Sequence, residues 1–266
     1  MSTLSYAVTD SATMLRRQLR HMLRYPSMTL MLAGLPIVLL LLFVYVFGGT
    51  LGAGLGGFSG GFSGDRADYV DYVTPGIMLI TVASAAQGTA ISVAMDMTEG
   101  IIARFRTMAI ARVSVLTGHV VGSMIQTMLS LAVVTAVALL IGFRPTAGVA
   151  EWLAAVGVVA MTTFALTWLS VALGMVSKSV ETASNLPMPL LLLPFLGSGF
   201  VPTDSMPTGM RWFAENQPFT PIMETLRGLL MGSPTGSGVL AVAWCVGIWL
   251  AGYLWAKRLY NRDPTP

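Results

Sequence analysis

Ser198 is the residue whose setting is most typical of a catalytic nucleophile, because it lies between Gly197 and Gly199. A serine needs a base within hydrogen-bonding reach before it can attack a substrate. The chain has two histidines, His21 and His119, and the charge pattern predicts that both lie at the opposite side of a bilayer from Ser198. Hydrolase chemistry is therefore not expected.

Metal, redox and ATP-hydrolysing chemistry are not predicted within this chain either. Cys245 is the one cysteine, so there is no disulfide framework, and two histidines are too few for a metal cluster. A phosphate-binding loop needs Gly-Lys followed by Ser or Thr, but Lys178 follows Ser177 and Lys257 follows Ala256. We therefore expect no enzyme activity here, and ATP and Mg²⁺, if they are used, would bind to another subunit.

The composition indicates a protein that lies in a lipid bilayer. Hydrophobic residues make up 55% of the 266 residues and charged residues only 10%, which leaves too little polar surface for a water-soluble globule. Six stretches lack Asp, Glu, Lys and Arg, and each is long enough to cross a hydrocarbon core of about 30 Å. The sequence predicts an all-α membrane protein with a single transmembrane domain over residues 1–266. Its predicted spans are about 28–47, 72–96, 114–142, 152–176, 182–201 and 238–257.

The first apolar stretch is followed by a glycine-rich segment, GGTLGAGLGGFSGGFSG, at residues 48–64. Glycine destabilises a helix, so we expect the first span to end at Phe47 and a flexible loop to follow outside the lipid. The alternative is a helix contact of the GxxxG kind, for which these glycines are too dense.

The distribution of basic residues predicts the orientation of the chain. If alternate loops lie on opposite sides, eleven of the fifteen Lys and Arg residues fall on the side that carries both termini. Cytoplasmic loops are enriched in these residues, so both termini are predicted to be cytoplasmic. Residues 1–26 have apolar residues at helical spacing and arginines four apart, which predicts an amphipathic helix on the cytoplasmic leaflet. It would serve either as an anchor or as a contact for a partner, and the pattern favours neither.

A basic segment at residues 99–112 separates the second and third predicted spans. Ile101, Phe105 and Met108 form an apolar stripe, and Arg106 lies off it, as in a short amphipathic helix. This cytoplasmic helix would contact a partner, or it would only retain the loop on the cytoplasmic side.

Two segments resemble ABC exporter permeases of the daunorubicin-resistance kind. MTEGIIARFRTMAIARVSVLTGHV, residues 97–120, is similar to their cytoplasmic loop, in which an acidic residue and glycine precede an R-F-R core. SGFVPTDSMPTGMRWFAENQPFTPIMETLRGLLMG, residues 198–232, is similar to their series of F-V-P, M-P, N-P-[FL]-T and E-x-x-R motifs. This chain departs from the pattern at Gln217, which separates Asn216 from Pro218, and at Ala109, where the family often has proline.

The resemblance implies a permease homodimer in which each chain docks on a separate ABC ATPase subunit that binds ATP and Mg²⁺. Residues 99–112 would form the coupling loop, and its helix, from Glu99 to about Ile110, would contact this ATPase. The matching coupling residues are Glu99, Gly100, Arg104, Phe105 and Arg106. Alanine at 109 makes a kink after this helix doubtful, because alanine lets a helix continue where proline would end it.

The external segment 202–237 would form re-entrant helices before the last span, according to the same resemblance. Glu224 and Arg227 are three residues apart, so they would pair on one helix face or remain a solvated pair. In the fifth span Pro187, Pro189 and Pro194 predict a bent or opened backbone.

Several polar or helix-breaking residues within the predicted spans are candidates for a translocation path. Polar side chains are costly against lipid and should face the protein interior, where they would line a path or hydrogen-bond one helix to another. The second interpretation is slightly favoured for the polar residues. The candidates are Gln87, Ser92, Gln126, Pro187 and Pro194.

The sequence and the resemblance together predict the permease subunit of an ATP-driven multidrug exporter in a bacterial plasma membrane. It would confer antibiotic resistance by moving a hydrophobic or amphipathic compound out of the cell, without any nucleic-acid partner. The alternative is an ATP-independent secondary transporter or channel, for which no charged residue lies deep in a span to relay protons. A structural scaffold would leave the similarity of the cytoplasmic loop unexplained.

Overall fold

The computed structural model describes residues 26–55, 65–98, 112–232 and 237–260. The regular elements of these ranges are all helical, which confirms the all-α fold class. A π-helical turn at Leu42–Phe47 joins the first two helices, and a short 3-10 turn lies at Thr203–Ser205. The helices are α1 (Pro26–Leu41), α2 (Gly48–Leu55), α3 (Arg66–Thr98), α4 (Arg112–Ile141), α5 (Val149–Val176), α6 (Val180–Asn185), α7 (Met188–Leu192), α8 (Thr208–Asn216), α9 (Phe219–Met231) and α10 (Gly238–Tyr260).

Within the described ranges, five helical segments are long and apolar enough to cross a membrane, one fewer than the six predicted. They are Leu32–Leu51, Arg66–Thr98, Thr117–Ile141, Val149–Val176 and Gly238–Tyr260. The predicted span at 182–201 is instead divided into α6, α7 and a series of turns. The predicted interfacial helix at 1–25 lies outside the described residues.

Helix α3 is the centre of the bundle. In its most apolar 18-residue stretch, 72% is buried, against only 22% in the corresponding stretch of α10. Helix α3 is therefore surrounded by protein, whereas α10 presents most of its surface outward. The exposed side chains of α10 include Val239, Leu250 and Leu254, which are apolar and suited to lipid contact. At about 1.5 Å per residue, the 33 residues of α3 exceed the thickness of a hydrocarbon core, so its ends extend beyond the core or the helix tilts.

Small residues let the long helices approach closely. A Cβ atom added to Gly174 on α5 would lie 2.5 Å from the carbonyl oxygen of Ala90 on α3. A Cβ atom on Gly252 of α10 would lie 2.6 Å from the backbone nitrogen of Leu169 on α5. Membrane helices associate largely through such close packing, because lipid supplies no hydrophobic driving force between them. Two glycines therefore determine how α5 fits between α3 and α10.

The first membrane helix does not end at Phe47 as predicted but continues through α2 to Leu55. Contact with α3 explains why helix persists in glycine-rich sequence. A Cβ atom on Gly48 would lie 3.3 Å from Cγ of Arg66, so the absent side chain permits this contact. The Oγ1 of Thr50 also donates a hydrogen bond to the carbonyl of Phe47 at 3.0 Å. The rest of the predicted loop, residues 56–64, lies outside the described part of the chain.

The segment between α5 and α8 is broken where its prolines lie. Pro187 immediately precedes α7 and Pro194 follows it, and neither supplies the N–H that a continuous helix requires. A cluster of aromatic rings attaches the turns after α7 to the π-helical turn. The ring of Phe200 lies 4.4 Å from that of Phe43 and 4.7 Å from that of Phe195. The backbone is therefore opened as predicted, and the first membrane helix packs against one side of the broken segment.

Candidate functional site

The most elaborate polar arrangement in the described ranges is a buried meeting point of α3, the turn at 197–200 and α9, which we call the outer junction. A Cβ atom on Gly76 of α3 would lie 2.8 Å from the carbonyl oxygen of Gly199. The turn therefore contacts the backbone of α3 directly. The charge pattern predicts that this end of the bundle is external.

Arg227 of α9 connects all three elements of the outer junction. Its Nη2 donates hydrogen bonds to the carbonyl of Ser198 at 2.7 Å and to that of Tyr72 at 3.2 Å. The guanidinium carbon lies 3.8 Å from the centre of the Tyr72 ring, a favourable cation–π geometry. One cation thus connects α9 to α3 and holds the turn at 197–200 against α3.

Gln217 and Thr220 support the same turn from the start of α9. The Nε2 of Gln217 donates to the carbonyl of Leu193 and to Oγ1 of Thr220, both at 3.1 Å. The backbone N–H of Ser198 donates to the same Oγ1 at 3.4 Å. A Cβ atom on Gly197 would collide with Gln217 and lie 2.7 Å from Oγ1 of Thr220, so glycine is required for this contact. Gln217, which interrupts the Asn-Pro motif in the sequence, is therefore a structural member of the junction.

Glu224 and Arg227, three residues apart on α9, each make hydrogen bonds to residues outside that helix. Oε2 of Glu224 accepts a hydrogen bond from Oγ of Ser237 at 2.7 Å, while Arg227 turns toward Tyr72 and Ser198. Two backbone carbonyls and an aromatic face interact favourably with the Arg227 cation. Both charged residues of the motif therefore make contacts outside α9.

Ser198 contributes to the junction through its backbone. Its Oγ is buried, and no hydrogen-bond partner for it lies in the described ranges, whereas its N–H and carbonyl are both bonded. We expect Ser198→Ala to leave the melting temperature of the detergent-solubilised protein unchanged, because neither backbone contact changes. A clearly lower melting temperature would instead indicate a role for the hydroxyl.

The candidate path residues have different environments. Nε2 of Gln87 on α3 donates to the carbonyl of Ser184 at 2.6 Å, so it joins α3 to the end of α6. Pro187 and Pro194 are buried, whereas Ser92 and Gln126 are partly buried on α3 and α4. Gln87 therefore contacts the broken segment, and this contact favours helix-to-helix bonding. That the set lines a path stays a prediction.

The predicted coupling residues Glu99, Gly100, Arg104, Phe105 and Arg106 lie outside the described residues. The helices on either side of them are described, and Oδ2 of Asp96 near the end of α3 lies 3.0 Å from Nε2 of His119 in α4, within hydrogen-bonding distance. The charge pattern placed His119 on the side opposite Ser198, and Asp96 was not considered. The signal that could have found this contact was a carboxylate and an imidazole at the adjoining ends of consecutive spans.

Five long apolar helices packed through buried glycines and polar junctions define a multi-pass membrane protein. The model of the ABC-2 type transporter family matches residues 10–231, and the chain belongs to this family. This match includes the 99–112 segment and the outer junction.

Curated relatives agree with the family. The chain is 27% identical over 259 residues to a protein named "Daunorubicin resistance ABC transporter permease protein DrrB1" from Streptomyces coeruleorubidus, a match that covers 96% of this chain and 87% of the relative. It is 24% identical over 176 residues to "Probable doxorubicin resistance ABC transporter permease protein DrrC" from Mycobacterium tuberculosis, a match that covers 65% of this chain and 64% of that relative. The chain is thus a membrane permease similar to subunits named for drug resistance.

Proposed function

We propose that this chain is the permease subunit of an ATP-driven exporter that moves a hydrophobic or amphipathic compound, drug-like or lipid-like, out of a bacterial cell. The family match over residues 10–231 carries this proposal. The relatives named for daunorubicin and doxorubicin resistance support a drug-like substrate. In the plasma membrane, both termini would be cytoplasmic and the broken segment at 182–201 would complete a sixth crossing.

Two permease chains would assemble with cytoplasmic ABC ATPase subunits that bind ATP and Mg²⁺. Residues 99–112 would form the coupling loop. Its helix, from Glu99 to about Ile110, would have Glu99 and Gly100 at its start and Phe105 against the membrane domain. Arg104 and Arg106 would meet acidic groups of the ATPase, as charge-assisted hydrogen bonds favour.

The outer junction would close the external end of the path, with α8 and α9 as the re-entrant helices. Nε of Arg227 and Oε1 of Gln217 are buried atoms for which no hydrogen-bond partner lies in the described ranges. Buried unpaired polar atoms are costly, so this arrangement has unused hydrogen-bonding capacity that a second state of the junction would satisfy. Opening of the junction would then release substrate past Pro187 and Pro194, with Ser92 and Gln126 further along the path.

The proposal is tested by co-purification of the chain with the ABC ATPase encoded beside it. We expect wild type to retain the ATPase. An Arg104→Glu, Arg106→Glu double variant should capture at least about tenfold less ATPase than wild type, because charge reversal converts attraction into repulsion. The bound ATPase would be quantified after detergent extraction and affinity capture of the permease.

A Lys178→Glu, Lys257→Glu double variant is the matched control. It makes the same change in net charge at two exposed residues on the predicted cytoplasmic side, away from the coupling segment, and should retain the ATPase. If wild type captures no ATPase, the exporter assignment is wrong. If both double variants lose it equally, residues 99–112 are not the contact.

A further inference from the structure

Two polar contacts join α3 to α4 on one line along the helices. Oδ2 of Asp96 lies 3.0 Å from Nε2 of His119, and Oγ1 of Thr89 donates to Oγ of Ser123 at 2.9 Å. Thr89 lies two turns before Asp96 on one face of α3, and Ser123 lies about one turn after His119 on one face of α4. The two contacts therefore follow the order that antiparallel helices require. We call these four residues the α3–α4 seam.

The seam is protected from solvent at its charged end. The side chains of Asp96 and His119 are 15% and 12% exposed, in contrast to the exposed ion pairs that Arg211 forms with Asp204 and Glu215. A polar contact that is shielded in this way is weakened less by water and salt than a surface contact. The Nε2–H of His119 can donate to the carboxylate in the neutral ring as well as in the protonated one, so the contact does not require one charge state of histidine.

The seam also borders a separate apolar cluster. Val93 on α3 and Val120 on α4 are almost completely buried in it, together with Met175 of α5 and Tyr260 of α10. Asp96 is one turn beyond Val93, and His119 is adjacent to Val120. The ends of four long helices are therefore packed together at the level where the charged pair joins α3 to α4.

We propose that the α3–α4 seam makes these two helices move as one rigid hairpin, so that displacement of the connecting residues 99–111 reaches the membrane interior without loss. This inference rests on the proposed function, in which the ATPase acts on those connecting residues. Without the seam, each helix would slide separately, and ATP hydrolysis would continue without productive movement. Asp96 and His119 are thus positioning residues for coupling and do not contact substrate.

The first test measures daunorubicin uptake per ATP hydrolysed in inside-out vesicles that contain the permease with its ATPase. Asp96→Ala should reduce this ratio at least about tenfold while the ATPase stays bound and active. Asp96→Asn retains an oxygen that accepts from His119 and should keep most of the ratio. The exchange Asp96→His, His119→Asp should restore it, and Asp65→Ala, at an exposed position before the other end of α3, should leave it unchanged.

The second test detects the hairpin itself and needs no substrate. Spin labels at Met95→Cys and Leu129→Cys, two exposed positions on α3 and α4, would report their separation in chains that carry Cys245→Ser and are diluted with unlabelled chain. Between nucleotide-free and ATP–vanadate states, the distance should stay constant in wild type and change in Asp96→Ala.

Each outcome of these tests has a distinct meaning. Equal coupling ratios in wild type and Asp96→Ala, or failure of both Asp96→Asn and the exchange to restore the ratio, would overturn the inference. So would equal label distances in Asp96→Ala before and after trapping. If wild type retains no ATPase, the proposed function fails first, and the coupling role falls with it.

Discussion

Arg227→Ala is expected to reduce drug efflux more than tenfold and to lower the thermal stability of the detergent-solubilised protein. The substitution leaves the carbonyls of Tyr72 and Ser198 without their charged donor, and each such bond contributes about 1.5–3 kcal/mol. It also removes the cation from the Tyr72 ring, a further contribution of about 0.5–2 kcal/mol. The turn at 197–200 would then no longer be held against α3. Efflux from a drug-sensitive bacterial host, normalised to the amount of protein in the membrane, measures the first effect.

Two variants make the Arg227 prediction specific. Arg227→Lys should give an intermediate result, because an ammonium group lacks the planar, forked arrangement of donors that a guanidinium offers. Arg211→Ala should behave like wild type, since Arg211 is an exposed arginine whose partners, Asp204 and Glu215, are also exposed. If Arg227→Ala shows the same drug efflux and the same melting temperature as wild type, this residue does not hold the junction together.

Gly252→Ala is expected to give the largest loss of stability among single methyl additions to α10. The new Cβ would lie 2.6 Å from the backbone nitrogen of Leu169 and 2.9 Å from its Cα, so α5 and α10 must separate. Overpacking of this kind costs about 1–3 kcal/mol or more, and we expect the melting temperature to fall by roughly 5–10 °C. Melting is followed by the fraction of detergent-solubilised protein that remains monodisperse after heating.

Gly247→Ala is the matched control on the same helix, because no atom beyond its chain neighbours and the adjacent backbone of α10 lies within 4 Å of the added Cβ. Alanine has a higher helix propensity than glycine, so this variant should melt at the wild-type temperature or slightly above it. Equal melting of the two variants would mean that α10 does not contact α5 through Gly252.

The glycine-rich sequence after Phe47 shows how tertiary contact overrides local propensity. Glycine disfavours a helix in isolation, and propensity alone predicted a loop. The same absence of a side chain lets Gly48 approach Arg66 on α3. This packing stabilises the helix through residues distant in sequence, so the local sequence pattern does not reveal it. The prolines of the broken segment were easier to interpret, because a missing N–H acts on the chain locally.

The polar contacts of the outer junction were least accessible from sequence. Arg227 and Tyr72 are 155 residues apart, and their spacing carries no signal. The motif of Glu224 and Arg227 was compatible with a local pair, since residues three apart on a helix are neighbours, or with a solvated pair. The structure instead assigns each residue a different partner, because α3 and the turn at 197–200 present buried acceptors to the arginine.

The amino-acid sequence by itself determined that this chain lies in a membrane as a bundle of long apolar helices, and its motifs indicated the permease family. Those properties depend on the apolar composition of each segment and on the cost of burying charge in lipid. Both can be read from one segment at a time. Only the tertiary structure decided that α3 is central, that glycines set the helix spacing, and that Arg227 and Asp96 have partners on other helices. Such contacts depend on which surfaces meet, and that is determined by the packing of all the helices together.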